Sequence, residues 1–93
     1  MSLLNHEQIQ KNLKILEGWE LKNSKIIKKI KFKSYMNSIG FINKIAVKSE
    51  ELNHHPDMIV GWCEIKISFT SHDKGGVTYT CIKMAEFVDS ILE

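Results

Sequence analysis

Ninety-three residues, 43% of them hydrophobic, suffice for one small domain with a modest core and leave little room for a second. A net charge of +2 is too mild for a nucleic-acid binder, which carries a strong basic stripe, and no apolar run approaches the roughly 20 residues that a membrane span requires. Cys63 and Cys81 lack the spacing of a zinc knuckle or a redox pair, and Met1-Ser2-Leu3-Leu4 lacks a secretory apolar segment, so free thiols in a reducing compartment, the cytoplasm, are expected.

With one proline, no repeat and no low-complexity stretch, the chain reads as a single domain over residues 1–93. Asn5 to Leu16 sets Ile9, Leu13 and Leu16 at helical spacing, with Glu7 near the start, where the dipole favours an anion, and Gly18 as the stop. Trp19-Glu20-Leu21-Lys22 reads as a strand, Asn23-Ser24 as a turn and Lys25 to Phe32 as a second strand. Lys28 interrupts the alternation of that second strand, which predicts an edge or a twisted end.

Ser34 suits the N-cap of the next helix, with Phe32 packing on its first turn. Tyr35, Ile39, Ile42 and Ala46, beside a parallel row of Met36, Phe41, Ile45 and Leu52, make an apolar face too wide for one contact. Such a helix is expected to be covered on more than one side, by a sheet and by a partner subunit. It should stop near Asn53, because the residue before Pro56 is pushed out of the α region. Asp57 to Trp62 and Cys63 to Thr70 read as two further strands. In the latter, Cys63, Ile65, Ile67 and Phe69 share one face, and Glu64, Lys66, Ser68 and Thr70 the other; continued alternation puts His72 on the polar side. Ser71 to Gly76 is a turn, and a last helix begins around Thr78 with Cys81, Met84, Ala85, Val88, Ile91 and Leu92 facing inward. Short hairpins favour antiparallel pairing, so the expected fold is α+β, in the order α-β-β-α-β-β-α: a four-stranded antiparallel sheet with three helices on one face. The opposite face of the sheet is left for a ligand.

The chemistry concentrates in His54-His55-Pro56 and His72, at the ends of neighbouring elements. Imidazole, with an unperturbed pKa of about 6.5, exchanges protons near neutral pH. Adjacent histidines at a helix end can also serve merely as partners of its negative dipole, and His6 near the N-terminus reads as an exposed structural residue. A zinc site is the competing reading, but neighbours in an extended chain point to opposite sides, and Glu50, Asp57 and Asp73 form no ligand spacing. Gly75-Gly76 lacks the flanks of a phosphate loop and reads as a tight turn.

Glu50, three residues, His54-His55-Pro56, five residues, Trp62, nine residues, His72 resembles the signature of the pterin-4a-carbinolamine dehydratases. The resemblance extends to Gly18-Trp19, Phe41, Ala46-Val47, Thr70 to Asp73, Gly75-Gly76 and Ala85 to Val88, nearly the whole chain. It implies the fold expected above and dehydration of 4a-hydroxytetrahydropterin to quinonoid dihydropterin, a hydro-lyase step in tetrahydrobiopterin recycling, with no metal and no organic cofactor. By position it implies His54, His55 and His72 as catalytic, with His54 and His72 exchanging protons and His55 orienting the pterin. Glu50, Asn53, Pro56, Thr70, Ser71 and Asp73 would line the substrate pocket. A homodimer or homotetramer is implied, with a pterin as the small-molecule partner and neither nucleic acid nor membrane. A non-catalytic alternative comes with the family, a dimerisation cofactor of a transcription factor. Two positions depart from the family's pattern. Cys81 stands where many members have aspartate, at the N3 position if Thr78 is the N-cap, and Met58 stands where an aromatic residue is common.

Overall fold

A computed structural model describes residues 2–92; Met1 and Glu93, the ends of the expected 1–93 domain, lie outside the described residues. The elements are α1 (His6–Leu13), β1 (Glu20–Lys22), β2 (Lys25–Lys31), α2 (Tyr35–Leu52), β3 (Asp57–Gly61), β4 (Glu64–Phe69) and α3 (Tyr79–Ile91). The strands form one antiparallel sheet in the order β1-β2-β4-β3, so the two hairpins are joined through β2 and β4. Fold class and element order are those expected from the periodicity.

Ile26 and Ile30 of β2, with Ile65, Ile67 and Phe69 of β4, form the inner face of the sheet, and Phe41, Ile45, Ile82, Met84 and Val88 close on them from α2 and α3. Several of these side chains are fully buried, and each contributes about 1.5–3 kcal/mol of transfer free energy.

Helix α1 is shorter than its apolar spacing suggests, because the chain leaves the helix after Leu13 while Leu16 still reaches the core. Its start is an unanticipated capping box: Asn5 Oδ1 accepts from the Gln8 amide and Gln8 Oε1 from the Asn5 amide, both at 2.8 Å. The Asn-x-x-Gln spacing was its signal. At the next turn, Asn23 and Ser24 both take the positive φ values that a tight two-residue hairpin requires.

Lys28 does not mark an edge. β2 is central, and Lys28 lies on its inner face beside Ile26 and Ile30. The ammonium is satisfied there by Asp89 Oδ1 of α3 at 2.8 Å and by the Glu17 carbonyl at 3.1 Å, and it lies over the Trp19 ring. Asp89 also accepts from the Trp19 indole N–H. A charge inside the pattern therefore reports a partner 61 residues away in sequence.

Helix α2 is capped as expected, Ser34 Oγ accepting from the Asn37 amide, but Phe32 packs on Phe41, beyond the first turn. The helix buries one stripe, Ser38, Phe41, Ile45 and Ser49, while Tyr35, Met36, Ala46 and Val47 are exposed in the single chain. The strands β3 and β4 are each shorter than expected where they meet: Trp62 and Cys63 form the connection, with Cys63 at φ 61°. Trp62 is exposed, as are Ile59 and Val60 on the edge strand β3.

Candidate active site

The site begins with the way α2 ends. Asn53 takes the left-handed conformation, φ 50° and ψ 47°, which asparagine tolerates better than most residues. The His54 amide then donates to the Ser49 carbonyl at 3.0 Å and the Asn53 amide to Glu50 at 3.4 Å, a paired closure that turns the chain sharply off the helix. Pro56 keeps the residue before it, His55, extended, so His54 and His55 diverge.

His54 turns inward. Its ring stacks on Phe69, with centroids 6.1 Å apart and planes 15° apart, and its Nε2 lies 3.3 Å from Cys81 Sγ on the first turn of α3. His55 turns outward, its Nε2 2.6 Å from Glu50 Oε2 one helical turn back. His72 sits in the turn after β4, with Nε2 3.7 Å from Asp57 Oδ2 at the start of β3. Each imidazole thus has a different partner: a thiol and two separate carboxylates.

The turn that carries His72 and Asp73 is closed on Ser71, whose carbonyl accepts from Lys74 and Gly75 and whose amide donates to Gly76. Gly75 has φ 79°, and a Cβ at Gly76 would lie 3.1 Å from Leu3 Cδ2, so this glycine pair serves the turn as expected.

The three histidines share one electrostatic neighbourhood. Burial holds the His54 imidazole below its ordinary pKa of 6.5, the charges of His55 and His72 act in the same direction, and Asp73 opposes them. His54 is therefore a neutral imidazole at neutral pH, able to accept a proton. His55 and His72 are largely exposed, whereas His54 is partly buried. The open face, anticipated as the ligand surface, instead holds a groove of about 330 Å³ among Lys22, Lys25, Lys66 and Ser68, which meets the histidine cluster only at Asp57.

Among the anticipated pocket residues, Glu50 and Asp73 act on the histidines, and Asn53 and Pro56 set the backbone around them. Thr70 and Ser71 are buried and differently engaged. Thr70 Oγ1 donates to the Ser24 carbonyl, and Ser71 Oγ pairs with Thr78 Oγ1 at 2.7 Å. Three residues not assigned from the sequence belong to the cluster: Asp57, Phe69 and Cys81. Only the aspartate-to-cysteine departure at position 81 signalled one of them. Among the described residues, no three His, Cys, Asp or Glu side chains are grouped to hold a metal ion, and no helix is long and apolar enough to cross a membrane.

The family model for pterin 4 alpha carbinolamine dehydratase matches residues 2–91. This chain belongs to that family. A Prochlorococcus marinus (strain NATL2A) protein provisionally named pterin-4-alpha-carbinolamine dehydratase is 36% identical over 92 residues, covering 99% of this chain and 97% of the relative. The crystal structure of a Brucella melitensis protein described as a transcriptional coactivator/pterin dehydratase superposes with a TM-score of 0.96 at 28% identity, covering 99% of this chain and all of that one. A pterin dehydratase-like protein described as a RuBisCO assembly factor of the alpha-carboxysome shares the fold alone, with a TM-score of 0.65 at 23% identity, over 77% of this chain and 83% of its own. The pterin dehydratase family thus accounts for the fold.

Proposed function

We propose that this pterin dehydratase family member dehydrates a 4a-hydroxytetrahydropterin to the quinonoid dihydropterin, and so serves tetrahydrobiopterin recycling in the cytoplasm. The observation that supports this reading is the electrostatic coupling of His54 to His55, His72 and Asp73, with each imidazole held by a different partner. The C4a–O bond breaks as the hydroxyl takes a proton and leaves as water, and a ring N–H gives up a proton as a C=N bond forms to C4a. Neutral His54 accepts the ring proton. His72, beside Asp57, protonates the departing hydroxyl. His55, tied to Glu50, orients the pterin, while Asn53, Pro56 and Asp73 border it together with the backbone near Thr70 and Ser71. No metal or organic cofactor is required for these transfers.

The exposed apolar rows of α2 and the edge strand β3 are the surfaces on which a homodimer or homotetramer would form. They also support a second reading, favoured by the description of the Brucella protein: an interaction module acting as a dimerisation cofactor of a transcription factor. That role uses helical surfaces and no histidine.

The decay of 4a-hydroxytetrahydropterin, followed by absorbance, separates the two. The wild type should accelerate it, and His54→Ala and His72→Ala should each lose roughly 100-fold or more while remaining folded. A wild type that gives no acceleration overturns the enzymatic reading and leaves the interaction module.

A further inference from the structure

Cys81 is fully buried, yet its sulfur faces the one histidine that is turned into the protein. The surroundings of that sulfur are polar. Ser71 Oγ is 3.7 Å away and Thr78 Oγ1 is 3.8 Å away, and these two hydroxyls are themselves 2.7 Å apart. Thr78 stands at the N-cap of α3 but makes no side-chain cap to its own helix. A threonine cap contributes about 1 kcal/mol, so directing this hydroxyl at Ser71 and Cys81 forgoes a local gain for a buried polar cluster behind His54. The His54 ring plane is already fixed by Phe69, which leaves the position of its proton as the undetermined feature.

We infer that Cys81 is a positioning residue for His54: its sulfur accepts the Nε2–H, the thiol proton is directed to the Ser71–Thr78 hydroxyl pair, and Nδ1 is left as the proton acceptor of the ring. The opposite arrangement, with the thiol donating to Nε2, would put the proton on Nδ1 and leave the neutral ring no free lone pair for a substrate. Sulfur is a weak acceptor, and it is made a usable one here by exclusion of water and by two hydroxyls that take its proton. The logic is that of a base whose tautomer is set by the group behind it, with a neutral thiol in place of a charged partner. The inference rests on the reading of His54 as a base, but its structural half is measurable without substrate.

Long-range ¹H–¹⁵N NMR of the intact protein, above the pH at which His54 loses its proton, reads the tautomer directly. The wild type should show Nε2–H at His54. Cys81→Ala should give a mixture of tautomers, a two- to ten-fold lower kcat with little change in KM, and an altered pH profile; the fold-change corresponds to roughly one net hydrogen bond. Cys81→Ser should restore the single tautomer and the rate. Cys81→Asp, which places a negative charge at Nε2, should move the His54 titration to higher pH. An Nδ1–H tautomer in the wild type overturns the inference whether or not any variant folds, and so does a Cys81→Ala protein with unchanged His54 nitrogen shifts and pH profile. The expected tautomer in a wild type that does not accelerate dehydration would sink the enzymatic reading and leave the pairing standing.

Discussion

His72 Nε2 lies 3.7 Å from Asp57 Oδ2, so the loop after β4 is tied to the first residue of β3 across the mouth of the site. Both side chains are mostly exposed, and such a pair orients more than it stabilises. Asp57→Asn should therefore leave thermal stability nearly unchanged while lowering kcat/KM several-fold, on the order of one exposed charge interaction. The difference from wild type should shrink at high salt, which screens exposed charges. An equal loss at all ionic strengths would mean that Asp57 acts other than through the charge of His72.

The pH behaviour of His54 follows from its neighbours. Its pKa is lowered mainly by burial, then by His55 and His72, and raised by Asp73. Removing a positive neighbour relieves repulsion, so His55→Gln and His72→Gln should each move the His54 titration up toward 6.5, and Asp73→Asn should move it further down. Proton NMR of the His54 ring resolves these directions. The unfolded chain takes up this proton at higher pH than the folded one does. His54 therefore costs stability as pH falls below its ordinary 6.5, with the loss levelling off below its lower folded value. Denaturant titrations across that interval, compared between wild type and His54→Gln, should show a smaller pH slope in the variant.

Helices, strands and the position of the histidine pair were legible because they are written in local patterns. Alternation exposes β4, Ser34 marks the start of α2, and Asn53 before two histidines and a proline marks its end. What stayed hidden depends on long-range partners. Lys28 looks like an edge marker until Asp89 is packed over it, and Cys81 looks like a small core residue until His54, 27 positions earlier, is folded onto it. Asp57 and Phe69 enter the site only because β3 and β4 pair in a register that sets their ends beside the histidine loops. The exposed rows of α2 are apolar by composition, and among the described residues nothing covers them.

The Lys28–Asp89–Trp19 cluster gives a stability prediction remote from the chemistry. Asp89 is bonded to both the ammonium and the indole in a partly buried setting. Asp89→Ala removes the acceptor of the indole and one of the two acceptors of the ammonium, and should destabilise the protein by about 2 kcal/mol. Lys28→Met combined with Asp89→Leu should recover much of that loss, since an apolar pair removes the desolvation cost along with the attraction. Neither change should alter the His54 titration, because the cluster adjoins Trp19 and not the histidines. Chemical denaturation and the same NMR titration check both halves.

Ser49 offers a gain in the other direction. It sits on the buried stripe of α2, only 1% exposed, and among the described residues its Oγ has no hydrogen-bond partner. A buried hydroxyl without a partner costs roughly 1–3 kcal/mol, and alanine is also the better helix former. The same residue's carbonyl accepts the His54 amide, and that main-chain bond survives any side-chain change. Ser49→Ala should therefore stabilise the fold by about 1 kcal/mol and leave the turn into the histidine pair intact. A raised midpoint of thermal unfolding with an unshifted His54 NMR signal is the expected result. A lowered midpoint would instead show that the Ser49 hydroxyl is hydrogen-bonded in solution, and that its removal opens a gap beside the end of α2.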